Sequence, residues 1–246
     1  MVRSNKTLIY EQIEPCSLGN SQKGQDSLIE FTFNTVVGTT NKYYVEFGAC
    51  DGYQMSNTSY LREHQGWNGL LLEGDPGFPE NESINLHIRR ITKDNICDLF
   101  KEFDVPKEHD FLCIDMDGFD YWIMKSILEG QYKPRVIMIE TNVRFEPYES
   151  MTLKYNPDWN WDGGKWYGAS PYAFKKLFNE HDYIPVWIHL DDMIVIRKDV
   201  LEENGYSEPD WEYVYPRSNA PLYSDHVNRY TGVFTSELNL DEWQEV

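Results

Sequence analysis

The chain has 246 residues, 41% hydrophobic and 15% aromatic, enough for one large α/β domain with trimmings and too apolar for a disordered chain. Its 41 acids against 22 lysines and arginines leave a net charge of −19, which argues against a nucleic-acid partner, since phosphates need Lys and Arg. No apolar run is long enough for a membrane span, no signal core follows Met1–Lys6, and the four cysteines form no Cys-x-x-Cys pair, so the expectation is a reduced cytoplasmic protein.

Residues 1 to about 26 precede the first predicted helix, Ser27–Val37. An apolar strand, Tyr43–Phe47, then feeds the turn Gly48-Ala49-Cys50-Asp51-Gly52. Glu46 sits on the last strand turn and Asp51 between the glycines, while glycine lets a ligand approach the backbone closely. A dinucleotide would need Gly-x-Gly-x-x-Gly and a helix N-terminus facing its pyrophosphate. Here the middle glycines are missing and Asp51 stands where a phosphate would lie. Carboxylates in this place suit the ammonium, ribose and sulfonium of S-adenosylmethionine, with a plain strand and loop as the alternative.

A helix is expected at Asn57–His64, capped by Asn57 after Ser56. The strand Gly69–Leu72 ends at Glu73, one βαβ unit beyond Gly48, where a carboxylate can accept both hydroxyls of a ribose. After the strand Leu86–Ile91, Asp94 and Asn95 either bond an adenine amino group or, in the case of Asp94, cap the helix Ile96–Phe103.

The strand Phe111–Ile114 runs into Asp115-Met116-Asp117-Gly118, ahead of a helix at Tyr121–Leu128. The strand Val136–Ile139 runs into Glu140-Thr141-Asn142. Three uses of these acids stay open. Asp115, Glu140 and Asn142 make an oxygen set for Mg²⁺; Asp115 or Asp117 serves as a base without metal; or the acids cap helices and pair with lysine.

Between Val143 and Ala169 lies a long irregular connection rich in Tyr and Trp, including Trp159 and Trp166, with Gly163-Gly164 as a hinge candidate. It is expected to be a substrate lid, with a packing insertion as the alternative. Ser170 should cap a helix at Pro171–Asn179. The last strands, Ile184–Ile188 and Met193–Arg197, are joined by only His189-Leu190-Asp191-Asp192, too short for a crossover, so they pair antiparallel. Of six histidines only His189, in that turn, falls near the mouth of the sheet, which makes it a catalytic candidate.

The expected fold is a Rossmann-like α/β domain over residues 1–205, with a mostly parallel seven-stranded sheet ending in an antiparallel hairpin. It would carry an N-terminal cap and an insertion at about 143–169, with 206–246 as an extension packed on the same domain.

These motifs together resemble the FkbM-like branch of class I S-adenosylmethionine-dependent methyltransferases. The matching pieces are Ser21-Gln22-Lys23-Gly24-Gln25-Asp26, Glu46-Phe47-Gly48-Ala49-Cys50-Asp51-Gly52, Ser56-Asn57-Thr58, Trp67-x-Gly69-x-x-x-Glu73, Asp115-x-Asp117-Gly118 and Tyr167-Gly168-Ala169-Ser170. The resemblance implies S-adenosylmethionine as donor and O-methylation of a small molecule or sugar. It implies that Glu46, Gly48, Asp51, Gly52 and Asn57 line the methionine end, that Glu73 takes the ribose, and that Gln25 and Asp26 reach the cofactor from the cap. The chain departs from the family in having Asp-Met-Asp-Gly where Val-Glu-Gly is frequent, an arrangement also similar to metal-dependent O-methyltransferases. The rival functions are a non-catalytic nucleoside-binding module on the same fold and an NAD-dependent oxidoreductase.

Overall fold

The computed structural model of the chain describes Tyr10 and residues 13–158, 160–161, 163–164, 167–215 and 241–246. Helix α1 (Gln25–Phe31) starts two residues earlier than the sequence pattern suggests and passes into a π-helical stretch over Thr32–Val37. Thr32 Oγ1 donates back to the Leu28 carbonyl at 2.7 Å, a bond that loosens the regular helical ladder at this point.

The strand–helix alternation then runs β1 (Tyr43–Phe47), α2 (Ser59–Gln65), β2 (Asn68–Glu73), β3 (Leu86–Ile88), α3 (Ile96–Glu102), β4 (Phe111–Ile114), α4 (Asp120–Glu129) and β5 (Val136–Glu140). It continues with β6 (Met151–Leu153), α5 (Pro171–Glu180), β7 (Tyr183–His189), β8 (Asp192–Arg197), α6 (Lys198–Glu203), α7 (Trp211–Val214) and β9 (Trp243–Glu245). None of the described helices is long and apolar enough to cross a membrane.

Seven strands form one sheet in the order β3-β2-β1-β4-β5-β8-β7, with β1 to β5 parallel. Strand β8 runs antiparallel to both β5 and β7, so the hairpin's second arm inserts beside β5 and its first arm takes the edge. That edge carries Pro185 and a register shift between Pro185 and Trp187, both of which blunt further strand pairing. This is the Rossmann-like α/β architecture that the alternation predicts.

Alternate residues of each strand bury opposite faces. Val45, Phe47, Leu70 and Leu72 pack with residues of α3, α4 and α5. Tyr44, Leu71, Phe111 and Met138 pack with α1, the π-helical stretch and α6. Both faces are covered, so the strands read as continuous apolar runs.

Several local expectations are corrected. Helix α2 begins at Ser59, because Ser56 Oγ accepts the Ser59 and Thr58 amides (3.1 and 3.3 Å) while the Asn57 amide is given to Glu46. Asp94 does not cap α3. Asn95 holds the N-cap position, and its Oδ1 accepts the Thr92 amide at 2.7 Å. Strand β3 stops at Ile88, which frees Arg90–Thr92 to leave the sheet. Ser170 does cap α5, accepting the Ala173 amide at 3.2 Å. The connection after β5 is not irregular throughout, since β6 pairs antiparallel with β9.

Candidate active site at the carboxyl edge of the sheet

Every loop that the sequence marks as chemical leaves the sheet at one edge, where β1, β2, β4 and β5 end and the β7–β8 turn returns. Gly48 opens the first loop with φ 69°, and a Cβ there would stand 1.9 Å from the Asp115 carbonyl oxygen. The glycine is therefore demanded by the neighbouring β4 loop, which presses against it, rather than by a ligand alone. Gly52, with φ 77°, is constrained likewise: a Cβ would meet Ile84 Cδ1 at 2.6 Å.

Glu46 is engaged within the chain. It is 3% exposed and turned toward the start of α2, where it accepts the Asn57 amide and the hydroxyls of Ser56 and Thr58. Burial pushes its carboxyl up against the pull of those bonds. Asp51 accepts the Tyr53 and Gln54 amides at 2.9 and 2.7 Å and so closes its own turn. Asp26 is spent on the Leu18, Gly19 and Ser27 amides of the N-terminal segment. Asn57 is buried, with Nδ2 on Cys113 Sγ and Oδ1 unpartnered.

Glu73 stands at the end of β2 and lines a cavity of about 460 Å³, a size suited to a small ligand. Its Oε2 accepts the Cys50 amide at 2.7 Å and its Oε1 the Asp75 amide at 2.8 Å, so it ties the first two loops together. Two carboxylate oxygens offer about four acceptor sites, and two of those remain. The backbone of Gly48, the stretch Arg90–Thr92, and Met116, Phe119 and Ile123 complete the floor and walls.

The connection after β5 supplies the roof through Tyr155, Pro157 and Trp161. Tyr155 packs edge-on against Phe119 at 5.2 Å, its hydroxyl accepts the Lys93 amide at 3.3 Å, and Arg90 Nη2 donates to the Pro157 carbonyl. Trp159 and Trp166 lie outside the described residues. Asp94 is not part of this wall; it is 73% exposed and paired with Lys93 at 2.7 Å.

Beside the cavity, one oxygen each of Asp115, Asp117 and Glu140 come within 4.8 Å of one another. Asp117 holds φ 54°, a left-handed conformation that aspartate tolerates better than most. Asp120 shapes this loop by accepting the Met116 and Gly118 amides, both at 3.0 Å. Burial, then the charge of neighbouring acids, pushes Asp115 and Glu140 well up and Asp117 to about 6. Asn142 Nδ2 donates to the Tyr167 carbonyl and its Oδ1 accepts the Arg144 amide, so it holds the following loop.

The far rim joins the candidates Gln25 and His189 to Lys23, Asp191 and Asp192, to which the motif reading gave no role. Strand pairing sets Asp192 opposite Glu140, and Lys23 reaches across to Asp191 at 3.1 Å. Gln25 Nε2 donates to Asp192 at 2.9 Å, and burial followed by the Asp191 charge raises Asp192 to about 7. His189 Nε2 lies 2.8 Å from the Lys23 carbonyl oxygen, so its ring pins the N-terminal segment, and burial lowers its basicity. The two acids in the hairpin turn were visible as residues; the signal missed was that their turn abuts the end of β5.

No family model matches the chain, and no curated protein matches it. Among solved structures, the SAH-bound crystal structure of CalO1, a methyltransferase in calicheamicin biosynthesis, aligns at 12% identity with a TM-score of 0.34. The alignment covers 69% of this chain and 54% of that one, so the chain spans about half its length. A similarity at this level adds nothing to what the strand order shows.

Proposed function

We infer that the chain is an S-adenosylmethionine-dependent methyltransferase that methylates a hydroxyl of a small molecule or sugar. The observation that supports this reading is the cavity at the ends of β2 and β4, with the Glu73 carboxylate in its wall. Ligands of open α/β sheets bind outside the carboxyl ends of the strands, and an acid after the second strand is placed for ribose hydroxyls. Phe119 and Tyr155 offer aromatic surface to an adenine, and Ile91 and Ile123 add apolar wall. Near the first turn the described residues offer no arrangement for a pyrophosphate: Asp51 occupies the turn and α2 starts eight residues later, at Ser59.

When bound, the donor supplies an electrophilic methyl group, so the protein's task is alignment and removal of the acceptor's proton. Asp117 suits the second task. Its value of about 6 leaves it ionised at neutral pH yet basic enough to accept a proton, and it is half-buried on the loop that also lines the cavity through Met116 and Gly118. Asp115 and Glu140, pushed further up, tend to keep their protons and spare the site three adjacent charges. His189 acts by fixing Lys23 and the segment before α1 rather than as a base.

The test is transfer of a labelled methyl group to a panel of hydroxylated sugars and phenols, with Asp117→Asn as the control. Product from one class, lost in the variant, is the expected result. If NAD alone raises the melting temperature and S-adenosylmethionine does not, the reading is wrong.

A further inference from the structure

We propose that the acceptor carries an ammonium group beside its reacting hydroxyl, as in an amino alcohol or amino sugar, and that Asp115, Asp117 and Glu140 hold that ammonium. The inference rests on the methyltransferase reading and specifies its substrate class.

The first support is unmet demand. Glu140 is 8% exposed, and its Oε2 is fully buried with no hydrogen-bond partner among the described residues. A buried carboxylate oxygen without a donor is costly, and an N–H donor in the cluster removes that cost. Nearby charges are unbalanced as well. Asp120, Asp191 and Asp192 lie around the three acids, while the cation that acts on Asp117 is Lys23. Lys23 is already engaged by Asp191.

The second support is an ammonium already present. Lys23 Nζ docks on this rim at 3.2 and 3.1 Å from the two Asp191 oxygens. The chain's own alkylammonium is thus held by a carboxylate on this rim, beside the cluster.

One oxygen from each of the three acids lies within 4.8 Å of the other two, so a single small cation can touch all three. An ammonium carries three N–H donors on one nitrogen, one for each acid, and its charge would draw off the protons that burial and mutual repulsion otherwise hold on Asp115 and Glu140. The amide of Asn142, which would have completed a metal set, is turned into the next loop.

Thermal shifts of the full chain saturated with S-adenosylhomocysteine test the idea, with 2-aminoethanol, glucosamine, glucose, N-acetylglucosamine and MgCl₂ as probes. The amines should raise the melting temperature by roughly 3–6 °C at ten times their dissociation constant, for a chain of this size. The two neutral sugars should not. Glu140→Gln should weaken the amines at least tenfold while leaving homocysteine-nucleoside affinity unchanged, and Asp117→Asn provides a second variant. A shift with MgCl₂ but not the amines would make this a metal site, and no shift with any probe would equally overturn the proposal. Either result leaves the methyltransferase reading standing if the nucleoside itself binds; failure of the nucleoside to bind removes both.

Discussion

Single residues at this edge do structural work that their motif positions do not announce. Gly48 is the sharpest case, because the Asp115 carbonyl occupies the space of its missing side chain. Gly48→Ala would combine a left-handed backbone with a forced separation of the β1 and β4 loops, costing ~2–4 kcal/mol of stability. Urea unfolding measures this, and a loss below about 0.5 kcal/mol would show that the loops part easily. His109 offers a second residue-level test away from the site. It is fully buried, with Nδ1 on the Pro106 carbonyl at 2.9 Å, and burial lowers it to about 4. The neutral ring is the folded form, so its contribution is intact above pH ~6.5 and is lost as pH falls toward about 4. The loss is ~3 kcal/mol at most. His109→Asn, which keeps a donor for Pro106, should flatten the stability–pH curve in that window. An unchanged slope would assign the acid sensitivity elsewhere.

At the scale of elements, the connection after β5 changes meaning once placed. The sequence suggests a lid over substrate, yet Tyr155 and Trp161 stand over the cavity that contains Glu73. The described part therefore roofs the proposed donor site, and its start is anchored by the pairing of β6 with β9. Tyr155→Ala should weaken S-adenosylhomocysteine binding roughly three- to tenfold, the worth of one aromatic face. Titration calorimetry reads this, and unchanged affinity would mean the aromatic roof does not touch the nucleoside. The N-terminal segment has a comparable role, for Lys23 and Gln25 fasten it to the hairpin turn through Asp191 and Asp192.

For the whole molecule, strand order and cavity position follow from features that a sequence displays. Apolar runs such as Val136–Glu140 and the four-residue gap before Met193 point to a parallel sheet with an inserted antiparallel strand, because both are local signals. Glu73 was legible for the same reason, as an acid at a strand end. What stayed hidden depends on contacts between distant segments. Strands β6 and β9 have three residues each and pair across some ninety positions, too short for any alternation to show. The orientations of Glu46, Asp26 and Asn142 depend on which backbone amides fold back toward them, and residue type cannot reveal that. The Asp191–Lys23 contact likewise joins two ends of the chain.

The central claim is that a sulfonium nucleoside binds across the ends of β1, β2 and β4 with Glu73 on its ribose. Titration calorimetry of S-adenosylhomocysteine into the wild-type chain and into Glu73→Ala tests it most directly. The account predicts a one-to-one complex that the substitution weakens by ~1–3 kcal/mol, the range for a charged hydrogen-bond acceptor. No heat of binding, or equal affinity in both proteins, would contradict it.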